Sequence, residues 1–197
     1  MPRRLVAAAT RAALTATLIA LAGCASGPRL YVNSEADLAY YKKIAVLPFR
    51  NLTSERYAGE RLTRAFLTEL VMIERYEIVD MNEFASVLEK SGGNPGSQNI
   101  YDPAKVKDAA TEVQATGILR GAVTEFSIQR SGTNDVPVIA FDVELIDVAT
   151  NNVVWRTSVT RRGKSRIPVF GGGARTHAQI MQEAARDVVA MIEREAF

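Results

Sequence analysis

The chain has 197 residues, of which 47% are hydrophobic and 23% charged, with a formal net charge of +2, one cysteine and one histidine. That length suits a single domain with short extras, and the balance of apolar and charged residues excludes both wholesale disorder and a polytopic membrane protein. A lone cysteine excludes an intramolecular disulfide, Cys24 with His177 offers too few ligands for a zinc site, and so small a charge gives no reason to expect a nucleic-acid partner.

Arg3, Arg4 and Arg11 are the only charged residues before position 24, and an apolar run from Ala12 to Gly23 follows them. A basic start, an apolar stretch of about 12 residues and a small-residue exit form the pattern of a secretory signal peptide, here residues 1–23. The stretch falls short of the about 20 apolar residues that a spanning helix needs. Leu21, Ala22, Gly23 and Cys24 resemble the lipobox of bacterial lipoproteins. The resemblance implies diacylglycerol on the Cys24 thiol, cleavage before that residue and N-acylation of the new terminus; no other cofactor is expected. Two or more acyl chains anchor stably where one is marginal, at about 0.8 kcal/mol per buried methylene. Ala25 occupies the position where an aspartate resembles an inner-membrane retention signal in Gram-negative lipoproteins. The expected location is therefore the outer membrane, facing the periplasm. The three arginines leave with the leader, so 21 of the 24 basic side chains remain against 22 acidic ones.

Residues 24–41 mix Ser, Gly, Pro, Asn and charges without periodicity. They read as the lipidated cysteine and a tether, with a flexible reach on the order of 20–25 Å. Tyr31, Tyr40 and Tyr41 leave room for docking on the domain or on partners. One domain is expected over residues 42–197. Residues 43–49 form a short apolar run ending near Pro48, which predicts a buried strand. Over residues 56–73 helical spacing places Leu62, Ala65, Phe66 and Leu70 on one stripe, with Arg61, Arg64 and Glu69 off it. Residues 76–79 predict a second strand. Asp80 then caps a helix, with Glu83 in the reciprocal position of a capping box and Phe84, Val87 and Leu88 inward. Gly92 and Gly93 end it, and Pro103 starts a short helix through Val106, Ala109 and Ala110.

Three strands follow, over residues 117–128, 136–148 and 153–161. Phe141, Val143 and Leu145 alternate with Asp142 and Glu144, so one sheet face is covered and the other wet. An odd loop of three residues, Thr150, Asn151 and Asn152, puts Trp155, Thr157 and Val159 on the covered face, with an Asn suited to the left-handed position. A glycine-rich stretch precedes a last helix over residues 176–195, with Ile180, Ala184, Val188 and Met191/Ile192 inward. The order β-α-β-α-α-β-β-β-α predicts an α/β (α+β) fold: a mixed sheet with a parallel front βαβ, an antiparallel C-terminal meander and helices mainly on one face.

Several segments resemble sites without completing them. Gly171, Gly172 and Gly173 lie between a strand and a helix, but Thr176 stands where a dinucleotide fingerprint needs its third glycine. Gly163, Lys164 and Ser165 resemble the end of a phosphate loop, but Ser158 stands at its leading glycine. His177 has no nucleophile-elbow serine to serve, and a Cys24 thiol carrying lipid cannot act as a nucleophile. Asp142 and Glu144, about 7 Å apart on one strand face, read as a solvated face with cationic neighbours, because a glycosidase pair normally spans a cleft. Trp155 reads either as an interface anchor or as core.

Residues 43–53, 76–80 and 84–88, followed by 115–126 and the closing hairpin 141–155, resemble the CsgG-like lipoproteins, whose relatives include curli-secretion pores, Pel-type polysaccharide-export lipoproteins and LpoB-type activators of penicillin-binding proteins. The resemblance spans about residues 42–195. It implies an anticodon-binding-like periplasmic domain, ring assembly in several members, and no catalytic residues. A membrane-crossing hairpin needs two strands of about 9–11 residues. The loops at residues 130–135 and 163–175 are too short for that, so no outer-membrane barrel is expected from this chain alone. The expected role is a non-enzymatic accessory or assembly subunit of an export or envelope complex, with ring formation by copies of the chain left open. An LpoB-like activator of a cell-wall enzyme is the alternative. The expected contacts are Trp155 and the loop residues Phe170, Gly171, Gly172 and Gly173, meeting other envelope or export proteins.

Overall fold

The computed structural model describes residues 29–93, 100–131, 134–163 and 175–197. The expected signal peptide over residues 1–23, the expected lipobox Leu21, Ala22 and Gly23 with Cys24, and the glycine-rich residues Phe170, Gly171, Gly172 and Gly173 lie outside the described residues. In chain order the elements are β1 (Arg29–Val32), a 3-10 turn (Leu38–Tyr40), β2 (Lys43–Val46), β3 (Arg50–Asn51), α1 (Ala58–Met72), β4 (Glu77–Ile78), α2 (Met81–Lys90) and α3 (Pro103–Glu112). Then come β5 (Gly117–Ser131), β6 (Asn134–Asp147), β7 (Val153–Arg162) and α4 (His177–Ala196).

The strands form one sheet in the order β1-β7-β6-β5-β2-β4, with β3 pairing β5 off that path. β2 runs parallel to both β4 and β5, as strand–helix–strand crossovers require, while β5, β6 and β7 form an antiparallel meander. The expected mixed sheet and its element order are therefore present. Two short strands, β1 and β3, are additions to it.

Local chemistry sets the helix starts. The Asp80 carboxylate accepts from the N–H groups of Asn82 and Glu83, and Asp102 accepts from Ala104 just before Pro103. Thr176 and Gln179 make a reciprocal capping box at the start of α4. At the β6–β7 turn Asn151 adopts φ 60°, the left-handed conformation that a short amide side chain tolerates.

The sheet is covered on both sides. On one face α1 and α4 pack Leu62, Phe66, Leu70, Ile180, Ala184 and Val188 against Ile44, Val46, Leu119, Phe141, Val143, Leu145 and Trp155. On the other, α2 and α3 pack Phe84, Val87, Leu88, Val106 and Ala109 against Ala45, Leu47, Ile118, Ile146 and Val148. Alternate residues of β2 thus enter opposite cores, as the period of two demands. Helices mainly on one face were expected; they divide two and two. The front strand is a continuous apolar run because both its faces are buried.

The stretch expected to be a tether is largely part of the domain. β1 pairs antiparallel with β7 from Arg29 opposite Ser158 to Val32 opposite Trp155. Leu38 and Tyr41 are buried in the main core. Only residues 25–28 separate Cys24 from β1. Polar, aperiodic sequence concealed this because an edge strand of four residues with an exposed outer side carries no alternation to detect. Glu69, expected off the apolar stripe of α1, is 5% exposed. Its carboxylate accepts from Gln182 and from Arg186 Nε at 3.3 Å, both on α4, so it serves the α1–α4 interface.

Candidate interaction surface

The second face of the sheet is covered by α2 and α3 only near β2, β4 and the adjoining ends of β5, β6 and β7. Farther along, the strands present polar side chains there. Directly opposed residues share a face, so register assembles two rows. One runs Arg120, Glu144, Arg156, Tyr31 across β5, β6, β7 and β1; the next runs Ala122, Asp142, Ser158, Arg29, with Arg50 of β3 opposite Ala122.

Glu144 is held between two guanidinium groups, accepting from Arg120 Nε at 2.6 Å and Arg156 Nη1 at 3.3 Å, and its side chain is 14% exposed. Asp142 accepts from the Ser158 hydroxyl. These carboxylates are therefore engaged by cations and a hydroxyl, as a solvated sheet face would have them, rather than aimed at each other across a cleft. The arginines are four, Arg29, Arg50, Arg120 and Arg156, against two carboxylates, so this face carries a local excess of positive charge in a nearly neutral chain. Arg50 Nε is buried without a hydrogen-bond partner among the described residues. A groove of about 360 Å³ runs along this face, lined by Arg50, Arg120, Asp142, Glu144 and Arg156 with Leu47, Pro48, Leu52, Ile100 and Tyr101 at its apolar side. Cations beside aromatic and aliphatic surface suit an acidic, partly apolar segment of another protein.

Two further polar groups explain how the sheet is tied at its ends. Asp147, at the end of β6, accepts from the Tyr41 hydroxyl at 2.9 Å and from the Thr150 amide at 2.6 Å and hydroxyl at 3.0 Å. Burial alone would raise this carboxyl, but the bonds from Thr150, Tyr41 and the Ala149 amide outweigh it and hold the carboxyl below its ordinary value of 3.8. Burial, followed by the bond and charge of Asp147, raises the Tyr41 phenol. His177 stacks on Phe126 with centroids 4.2 Å apart, and its Nε2–H donates to the Ser127 carbonyl at 2.7 Å. That arrangement packs the start of α4 onto β5. Among the described residues no group of three or more His, Cys, Asp or Glu could hold a metal ion.

Trp155 requires a correction. It is 0% exposed within the main core, so it cannot be a contact on the surface of this fold. The proposed contacts Phe170, Gly171, Gly172 and Gly173 lie outside the described residues. Sequence reasoning flagged Asp142 and Glu144 through their alternation. It missed Arg50, Arg120 and Arg156, because only strand register brings side chains 24 and 36 positions away from Arg120 onto one face.

The family model described as the peptidoglycan-synthase activator LpoB matches residues 27–160, more than half of the chain. The chain belongs to the LpoB family. Of the relatives named from the sequence, this is the branch that the match shows, and its description is of an activator rather than an enzyme. The match begins within two residues of β1, in keeping with a domain that starts there. No curated protein matches the LpoB-family chain. Among solved structures it is similar to a PelC dodecamer from Paraburkholderia phytofirmans, 23% identical over 84% of this chain and 96% of that one, with a TM-score of 0.57. It is also similar to lipoprotein GNA1162 from Neisseria meningitidis, 15% identical over 77% and 98% of the two chains, with a TM-score of 0.53. At these identities the likenesses establish the fold of the LpoB-family domain.

Proposed function

We propose that this LpoB-family chain is a non-enzymatic lipoprotein of the outer membrane, anchored through lipid on Cys24, whose periplasmic domain binds and activates a peptidoglycan synthase. The family match over residues 27–160 carries the reading. The groove with Arg50, Arg120 and Arg156 supplies its contact surface, because it pairs surplus positive charge with exposed apolar side chains. Adding the purified domain to a peptidoglycan synthase of the same cell should raise glycan polymerisation several-fold. The double variant R50Q/R156Q should reduce that stimulation about tenfold, the order of a lost charged contact. These arginines lie outside the main cores, so its stability should stay within about 1 kcal/mol of the parent. No stimulation, with no crosslink to a synthase in intact cells, would sink this reading.

Anchoring has its own test. Cys24→Ser is expected to move the protein from the membrane fraction to the soluble periplasm, because no acyl chain then holds it. Retention in the membrane at parental levels would count against lipid as the anchor.

A second reading, a subunit of a membrane-bound export assembly that self-associates into a ring, is favoured by the position of β1. With four residues between Cys24 and the domain, the domain must stay close to the lipid. Light scattering of the lipidated protein in detergent, compared with the lipid-free domain, distinguishes the two: a single large oligomer supports the ring, and a monomer throughout the activator.

A further inference from the structure

The distance between anchor and domain is set by counting. Five residue steps separate Cys24 from Arg29, which span at most about 18 Å at ~3.6 Å per residue. A folded domain of roughly 170 residues has a radius of gyration of about 15 Å and a diameter near ~40 Å. The tether is therefore shorter than the domain is wide, and the bilayer surface must pass within that distance of the start of β1.

The direction of β1 then selects which end of the sheet meets the lipid. β1 and β6 are both antiparallel to β7, so β1 enters from the end of the sheet where the β5–β6 hairpin projects. Arg29 lies in the row of Ser158, Asp142 and Ala122, whereas β5 continues from Ala122 to Ser131. Those nine further positions extend about 30 Å at ~3.3 Å per residue. The hairpin thus projects farther past Arg29 than the tether can reach, so a sheet held by this anchor tilts until hairpin and edge strand both reach the headgroups.

The side chains at these two places suit that position. Ile128 is 63% exposed, Leu30 39% and Tyr31 52%. Arg130 has an 80% exposed side chain, paired at 3.6 Å with Asp135, whose side chain is 65% exposed. Aliphatic and tyrosyl surface beside arginines that can extend towards phosphate is the composition of an interfacial contact. The groove runs from Leu47, Pro48 and Arg50 across to Arg156 on β7, directly opposite Tyr31, so its Arg50 and Tyr101 end is the part farthest from β1.

We infer that the domain docks directly on the bilayer surface through β1 and the β5–β6 hairpin, with Leu30, Tyr31, Ile128 and Arg130 against the headgroups. The inference rests on the lipid anchor at Cys24 proposed above. It confines the partner's contact to within roughly 60 Å of the lipid, the sum of tether and domain. A synthase that it activates must therefore reach the outer membrane, and the domain does not travel towards it.

The single native cysteine makes the test direct, since lipid on Cys24 leaves one introduced thiol to label. Full-length protein carrying Ile128→Cys or Tyr31→Cys, and a control with Asn151→Cys at the opposite turn, would be labelled with a fluorophore. The proteins would then be reconstituted into vesicles containing a spin-labelled phosphatidylcholine quencher. Quenching at positions 128 and 31 should exceed that at 151 at least three-fold. A 20-residue Gly/Ser insertion between Ser26 and Gly27 should remove the difference. Equal quenching at the three positions, in protein whose Cys24 peptide carries the lipid mass, would overturn the docking inference while leaving the anchor intact. A Cys24 peptide without lipid would overturn the anchor itself. Persistence of the difference after insertion would overturn the claim that tether length imposes the docking.

Discussion

Trp155→Ala is expected to lower folding stability by about 3–5 kcal/mol, the range for truncating a large aromatic side chain in a packed core. Trp155 is fully buried, opposite Leu145 on β6 and in the same core as Ile180, Ala184 and Val188 of α4. Deleting the indole removes apolar burial and leaves a cavity that a sheet on one side and a helix on the other cannot close. The indole Nε1 has no hydrogen-bond partner among the described residues, so no hydrogen bond is lost with it. Trp155→Phe should therefore cost less than half as much as the alanine variant. Urea unfolding followed by far-ultraviolet circular dichroism measures both, since Trp155 is the only tryptophan and its fluorescence leaves with it. A native domain lies about 5–15 kcal/mol below its unfolded state, so the alanine variant should be near the edge of folding. A change below about 0.5 kcal/mol, the size of an ordinary surface substitution, would place Trp155 outside the core and return it to the contact role.

The second large effect belongs to Asp147. Asp147→Ala should cost about 2–3 kcal/mol, because hydrogen bonds to a charged acceptor are lost while the Tyr41 hydroxyl and the Thr150 amide stay behind without it. The effect depends on pH with a definite sign. The folded carboxyl titrates below its ordinary value of 3.8, so the folded state binds this proton less readily than the unfolded chain does. Its contribution is fully present above pH 3.8 and is lost as the pH falls through the lower folded value. The stability difference between the parent and Asp147→Asn should therefore be greatest near about pH 7 and shrink on acidification to about pH 3. A difference that grows as the pH falls would overturn the assignment. Tyr41→Phe, which removes one of these bonds, should cost about 1 kcal/mol.

The two residues also mark where sequence and structure parted. The alternation of Phe141, Val143 and Leu145 made the covered face of β6 legible, and the odd turn placed Trp155 on that same face. Burial followed from the pattern, and the alternative of an exposed anchor did not. Asp147 and Tyr41 lie 106 positions apart, and no local signal pairs them. Tyr41 belonged to a stretch whose composition suggested a tether, yet its ring is buried and its hydroxyl fixes the entry to β2 against the end of β6. Glu69 was missed for a similar reason. Its position on α1 lies beside the apolar stripe, and only the arrival of Gln182 and Arg186 from α4 makes a buried carboxylate tolerable there.

The division of the helices is instructive as well. Each helix shows an apolar stripe, but a stripe does not say which side of the sheet it will meet. The continuous run through Ile44, Ala45, Val46 and Leu47 held that information, since a strand apolar at every position must be covered on both faces.

By itself, the sequence determined what depends on near neighbours along the chain: the order of helices and strands, the inward residues of each, the left-handed Asn151, and the expectation of a leader ending at a lipidated cysteine. These follow from periods of 2 and 3.6 residues and from capping and turn chemistry acting within a few positions. The tertiary structure decided what depends on register and on crossing elements: the inclusion of residues 29–41 in the domain, the split of the helices, and the gathering of Arg50, Arg120 and Arg156 along one groove with Glu144. The physical reason is that a side chain's face is local, but its neighbours across a sheet are chosen by the packing of the whole domain. The short distance from Cys24 to β1 belongs to both, since the residue count was always visible and only β1 showed where the count stops.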